Sequence, residues 1–99
     1  MWTKVNVSTV VNRDYQSVFD SVYRILNSKN YPITLVNMDA RTMQFKTPMS
    51  LTSWGYRFTV TFNPNGYNQT QITFYGEHVY GFDIWGHGKK IVNSIINQL

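Results

Sequence analysis

Cysteine is absent from the chain. A disulfide framework, a thiolate zinc site and thiol chemistry are thereby excluded. The compartment is not decided, because an exported domain needs no disulfide. Charge is scarce as well: 14% of residues are Asp, Glu, Lys or Arg, against the usual quarter. The net charge of +4 comes from nine scattered basic residues, of which only Lys89 and Lys90 are adjacent. With no basic run, nucleic acid is not expected as a partner. No stretch approaches the roughly 18 apolar residues of a membrane span. The segment from Met1 to Val7 has no apolar signal-peptide core. A native start at Met1 would imply the cytoplasm, and an excised domain the cell envelope. Histidine occurs twice, as His78 and His87. No P-loop, nucleophile elbow or zinc-ligand spacing is present.

What is abundant is apolar surface. Hydrophobic residues make up 42% and aromatic residues 16% of the 99 positions, enough for one ordered domain with one small core. Thr3 to Val11 alternates, with Val5, Val7, Thr9 and Val11 on one face, which predicts a strand. The period then changes. Tyr15, Val18, Phe19, Val22 and Leu26 fall at helical spacing, with Asn12 as the expected N-cap and Asp14 in the first turn. An Asp20–Arg24 pair is expected on the exposed side. Ile33 to Met38 and Thr42 to Thr47 predict two strands joined through Asp39 and Ala40, with Pro48 stopping the second. The longest alternation runs Trp54, Tyr56, Phe58, Val60, Phe62. A turn is expected at Asn63-Pro64-Asn65-Gly66, after which Gln69 to Gly76 pairs back. Ile91, Val92, Ile95, Ile96 and Leu99 form the stripe of a final helix. That helix begins at Lys89, or near Asp83 if Gly86 and Gly88 are tolerated within it.

The predicted fold is therefore α+β, β-α-β-β-β-β-α, with a curved antiparallel sheet and both helices on one face. Lys4, Gln44, Lys46, Arg57, Thr59, Thr61, Gln71 and Thr73 would lie on the wet face. The helix from Asp14 to Leu26, the segment Tyr31-Pro32-Ile33-Thr34-Leu35-Val36 and the meander behind it resemble the TATA-binding-protein-like and helix-grip group. In the same features the chain looks like the small domains of the C lipoprotein of the bacterial outer-membrane β-barrel assembly machine, and like uncharacterised bacterial families. That resemblance implies a sheet curved around a C-terminal helix. It carries no functional residue across, and without the lipoprotein cysteine an envelope role is not implied.

Few residues offer chemistry. Glu77, His78, Asp83 and His87 match no metal-ligand spacing and are expected to be ordinary loop and strand-end residues. Gly81 to Gly88 is glycine-spaced but lacks the Lys-Ser/Thr of a phosphate loop. No cofactor or metal is expected, and no catalytic residue. The leading expectation is a non-enzymatic binding or assembly module for a protein partner or itself, with a homodimer through an exposed edge strand as one form. The first alternative is a carrier of a small apolar ligand in a groove lined by Trp54, Tyr56, Phe58, Phe74 and Trp85. The second is nucleic-acid binding on the polar sheet face through Lys46, Arg57 and Tyr75, with Arg41 nearby.

Overall fold

The computed structural model describes residues 4–47, 55–78 and 87–99, and for His78 and His87 the backbone alone. Within these ranges the elements are β1 (Lys4–Val11), α1 (Tyr15–Ser28), β2 (Ile33–Asn37), β3 (Thr42–Lys46), β4 (Tyr56–Pro64), β5 (Thr70–His78) and α2 (His87–Ile96). The five strands form one antiparallel sheet in the order β1-β5-β4-β3-β2. The architecture is the predicted α+β one. The early helix start near Asp83 and the expected ends at Trp54 and Pro48 lie outside the described residues.

Local chemistry explains the boundaries. The N-cap of α1 is Asp14, not Asn12: its side chain accepts the backbone N–H of Ser17 at 3.2 Å. Asn12 is engaged elsewhere, its amide oxygen accepting from Gln69 Nε2 at 3.1 Å. Thr70 Oγ1 donates to the Arg13 carbonyl at 2.9 Å. These two bonds tie the β1–α1 corner to β5, so the chain turns into the helix two residues later than Asn12. At the other end Asn30 adopts a left-handed φ of 59°. The Tyr31 N–H then reaches the Leu26 carbonyl and the Asn30 N–H that of Asn27, the paired bonds that close a helix C-terminus at such a residue. The β4–β5 turn is also displaced. β4 continues through Pro64, which pairs with Thr70 at the end of the ladder, where a missing donor is tolerated. The turn closes instead through Asn65 N–H to the Gln69 carbonyl at 2.9 Å.

Both helices bury their apolar stripes on the same side of the sheet. Val18, Phe19, Val22, Ile25 and Leu26 of α1, with Val92 and Ile95 of α2, join the inward-facing residues of β1, β3, β4 and β5 in one core. Phe45, Phe58, Phe62 and Phe74 are each 0% exposed; removing one such ring from water is worth about 1.5–3 kcal/mol.

Candidate functional site

Three surfaces come together from residues singled out in the sequence: the inner aromatic face, the outer polar face and an open sheet edge.

The inner face is paved with rings. Tyr31 lies parallel to Phe45 with centroids 6.0 Å apart, Phe45 stacks on Phe58 at 5.1 Å, and Phe58 on Tyr56 at 5.5 Å. Two glycines make this stack possible. A Cβ at Gly76 would stand 2.3 Å from the Phe58 ring, and one at Gly88 would stand 2.4 Å from Val5 and 2.9 Å from the Tyr56 ring. Phe58 therefore lies directly on the β5 backbone, and the start of α2 is seated on Tyr56 and Val5. Of the residues expected to line a ligand groove, Tyr56, Phe58 and Phe74 belong to this packed face, each 0% exposed. Trp54 and Trp85 lie outside the described residues. Burial raises the pKa of the half-buried Tyr31 phenol above its ordinary 10.0. Tyr15, at the other end of the core, packs edge-on to Phe19 and Phe62 and is the one described residue with a buried side-chain polar atom that lacks a partner.

The outer face follows from the strand register. Residues opposite one another on neighbouring strands sit side by side, so Lys4, Glu77, Arg57 and Lys46 form one row across four strands. Asn6, Tyr75, Thr59, Gln44 and Leu35 form the next. A third row is hydroxylic, Ser8, Thr73, Thr61 and Thr42, with Ser8 Oγ and Thr73 Oγ1 2.9 Å apart. Between the first two rows Gln44, Arg57, Thr59, Tyr75 and Glu77 line a shallow depression of about 320 Å³. Tyr75 Oη donates to Glu77 Oε1 at 3.3 Å. Lys46, Arg57 and Tyr75 thus share the face on which the sequence placed them. Arg41 does not: its guanidinium sits 5.7 Å from the centroid of the Tyr15 ring, in the helix layer, so the expected neighbour of Arg57 and Lys46 is absent. Glu77 stands among the remaining cations.

The sheet ends in two edge strands, β1 and β2, and β2 is the more apolar of them. Leu35 and Val36 on this strand are 43% and 44% exposed, and Met38 in the turn just beyond it is 46% exposed. β2 itself carries no charge, and its partner β3 covers only one side of its ladder. A bulge between Ile33 and Leu35 leaves the regular ladder at Leu35–Asn37.

Among the described residues no three His, Cys, Asp or Glu side chains converge on a point that could hold a metal ion, and no helix is long and apolar enough to cross a membrane. Glu77 is on the outer face, while His78 ends β5 and His87 opens α2. Asp83 lies outside the described residues. Sequence reasoning missed a cluster of serine and arginine on α1, because a polar stripe at helical spacing is indistinguishable from a solvated face until the fold shows what packs beside it.

No protein-family profile matches the chain, and no curated protein matches it in sequence. Solved structures do match in shape. An uncharacterised protein from Bacillus thuringiensis aligns with a TM-score of 0.73 at 8% identity, covering 98% of this chain and 96% of that one. The ZhuI aromatase/cyclase from Streptomyces sp. R1128 aligns at 0.61 and 7% identity, over 99% and 86%. A protein from Thermus thermophilus aligns at 0.52 and 12% identity, over 97% and 88%. At such identities the likeness is one of fold, and it agrees with the helix-grip-like architecture described above.

Proposed function

We propose that this chain is a non-enzymatic binding module that pairs with a second copy of itself along β2. The observation that carries this reading is the uncharged edge strand exposing Leu35 and Val36, with Met38 exposed in the turn that follows it. Edge strands in monomers are commonly guarded by lysine, proline, inward-pointing charge or a bulge; β2 has a bulge between Ile33 and Leu35, and beyond it Leu35–Asn37 carries no lysine, proline or charge. Two β2 strands related by a two-fold axis run antiparallel, so their open ladders complement one another and the same apolar side chains meet across the axis. Tyr75, Thr59 and Gln44 continue the Leu35 row over the outer face, giving the module a polar surface beside the joint. The lipoprotein-domain resemblance rests on element order and adds no residue to this site. Nucleic acid is not the reading we adopt for the outer face, because Arg41 is elsewhere and Glu77 lies among its cations.

Light scattering on the intact chain tests the proposal. The expected mass is twice the 11.6 kDa of one chain. Val36→Lys should halve it without loss of fold, while Val10→Lys on the opposite edge should leave it unchanged. A single-chain mass across a wide concentration range, or dissociation by Val10→Lys in place of Val36→Lys, overturns it. A second reading, a carrier of a small apolar ligand, is favoured by the likeness to the aromatase/cyclase structure. In that reading Tyr56, Phe58 and Phe74, buried on the inner face, would form one wall of the ligand's groove.

A further inference from the structure

Ser17, Ser21, Arg24 and Ser28 follow one another along one side of α1. Folding turns part of this stripe towards the C-terminal end of α2. Ser21 becomes 7% exposed, and Ser21, Arg24, Ile25 and Ser28 line a shallow trough of about 290 Å³ together with Gln98. Arg13, just ahead of the helix, folds back over it. Its Nη2 donates to Ser17 Oγ and to Ser21 Oγ, both at 2.6 Å, and to the Ser17 carbonyl at 3.2 Å, while its Nε donates to Ser17 Oγ at 3.1 Å. Arg24 Nη2 donates to the same Ser21 Oγ at 3.3 Å. Two guanidinium groups thus converge on one nine-tenths buried hydroxyl.

The balance of donors and acceptors is one-sided. Guanidinium only donates, so every hydrogen bond to the Ser17 and Ser21 hydroxyls is one they accept. Their own protons have no acceptor among the described residues. The carboxylates on this side are engaged elsewhere: Asp20 accepts from Gln16 Nε2 at 3.0 Å, in place of the expected pair with Arg24, and Asp14 caps the helix. Lys29, which donates to Ser94 Oγ across the α1–α2 cleft, adds a third cation at the far end of α1. Like charges drawn together without a counter-charge repel, and an oxyanion between them would reverse the sign of that interaction while accepting the idle hydroxyl protons.

We propose that the arginine–serine cluster at the start of α1, which shares Ser21 and Arg24 with the trough, binds a tetrahedral oxyanion, either inorganic phosphate or the phosphate of a small monoester, held by Arg13, Arg24 and the hydroxyls of Ser17 and Ser21. A planar carboxylate is satisfied by one guanidinium in a two-bond fork. Donors arriving from two guanidiniums and two hydroxyls suit an acceptor with oxygens in several directions. Ile25 in the trough gives an apolar contact for a group carried by the phosphate. This site is in the helix layer and does not rest on the β2 reading.

The experiment is a ¹H–¹⁵N NMR titration of the intact chain at constant ionic strength, with sodium phosphate in one arm and phenyl phosphate in the other. Saturable shifts are expected at the Ser17, Ser21 and Ile25 amides and at the Arg13 and Arg24 Nε–H groups. Arg24→Gln, at an exposed position that leaves the core untouched, should weaken binding about tenfold or more, the loss of a charge-assisted contact, with the remaining spectrum unchanged. Tighter binding of phenyl phosphate would identify a monoester as the ligand, and equal binding the free anion; either result upholds the site. Shifts reproduced by chloride, shifts centred on Lys89 and Lys90, or an Arg24→Gln variant that binds as well as the parent would overturn it.

Discussion

Tyr31 shows how far a single side chain's chemistry can be taken. Its ring extends the Phe45–Phe58–Tyr56 stack, and burial raises its pKa above 10.0. A phenol with a raised folded pKa is neutral in its favoured state. Its contribution to stability is complete below pH 10 and is lost as pH climbs through the raised value, where the unfolded chain ionises first. Urea unfolding of the parent and of Tyr31→Phe at increasing pH should therefore diverge in the alkaline range, the parent losing stability faster; parallel curves would contradict the assignment. None of this was legible in the sequence, where Tyr31 reads as the residue before a proline. The Arg13–Ser21 contact was equally hidden, since it joins positions eight apart across a helix start.

At the scale of elements the periodicities carried most of the information. The change from a period of two in Val5–Val11 to helical spacing in Tyr15–Leu26 located β1 and α1, and the alternation Tyr56–Phe62 located β4, because a burial pattern is imprinted on every second or every third and fourth residue. The ends were less legible. Asn12 and Asp14 are both good N-caps, and Asp14 prevails because Gln69 and Thr70 on β5 hold the corner. Pro64 reads as a turn residue but ends β4, because the last ladder position needs no donor. Gly76 reads as a strand terminator and sits inside β5 beneath Phe58. Gly76→Ala should force the ring aside and cost about 1–3 kcal/mol, as overpacking of a close contact does. Chemical denaturation would measure it; an unchanged midpoint would mean that the ring yields freely.

Across the whole molecule, fold class and the sidedness of the helices could be read from composition and pattern, whereas strand order could not. Nothing local in Lys4–Val11 states that β1 pairs with β5, at the far end of the meander, and that pairing sets the rows of the outer face and leaves β2 as the far edge. The filling of the inner face was also beyond the sequence, because an aromatic stripe serves a cavity and a packed core equally well. Here the stack of Tyr56, Phe58 and Phe45, seated on two glycines, packs the described part of the inner face, and the proposed function accordingly uses the outside of the sheet. Fluorescence titration with a neutral apolar dye, Nile red, tests that directly. The native chain should show no saturable site, and Phe58→Val, which opens a void beside Gly76, should acquire one. Saturable binding of one dye per native chain would contradict the account.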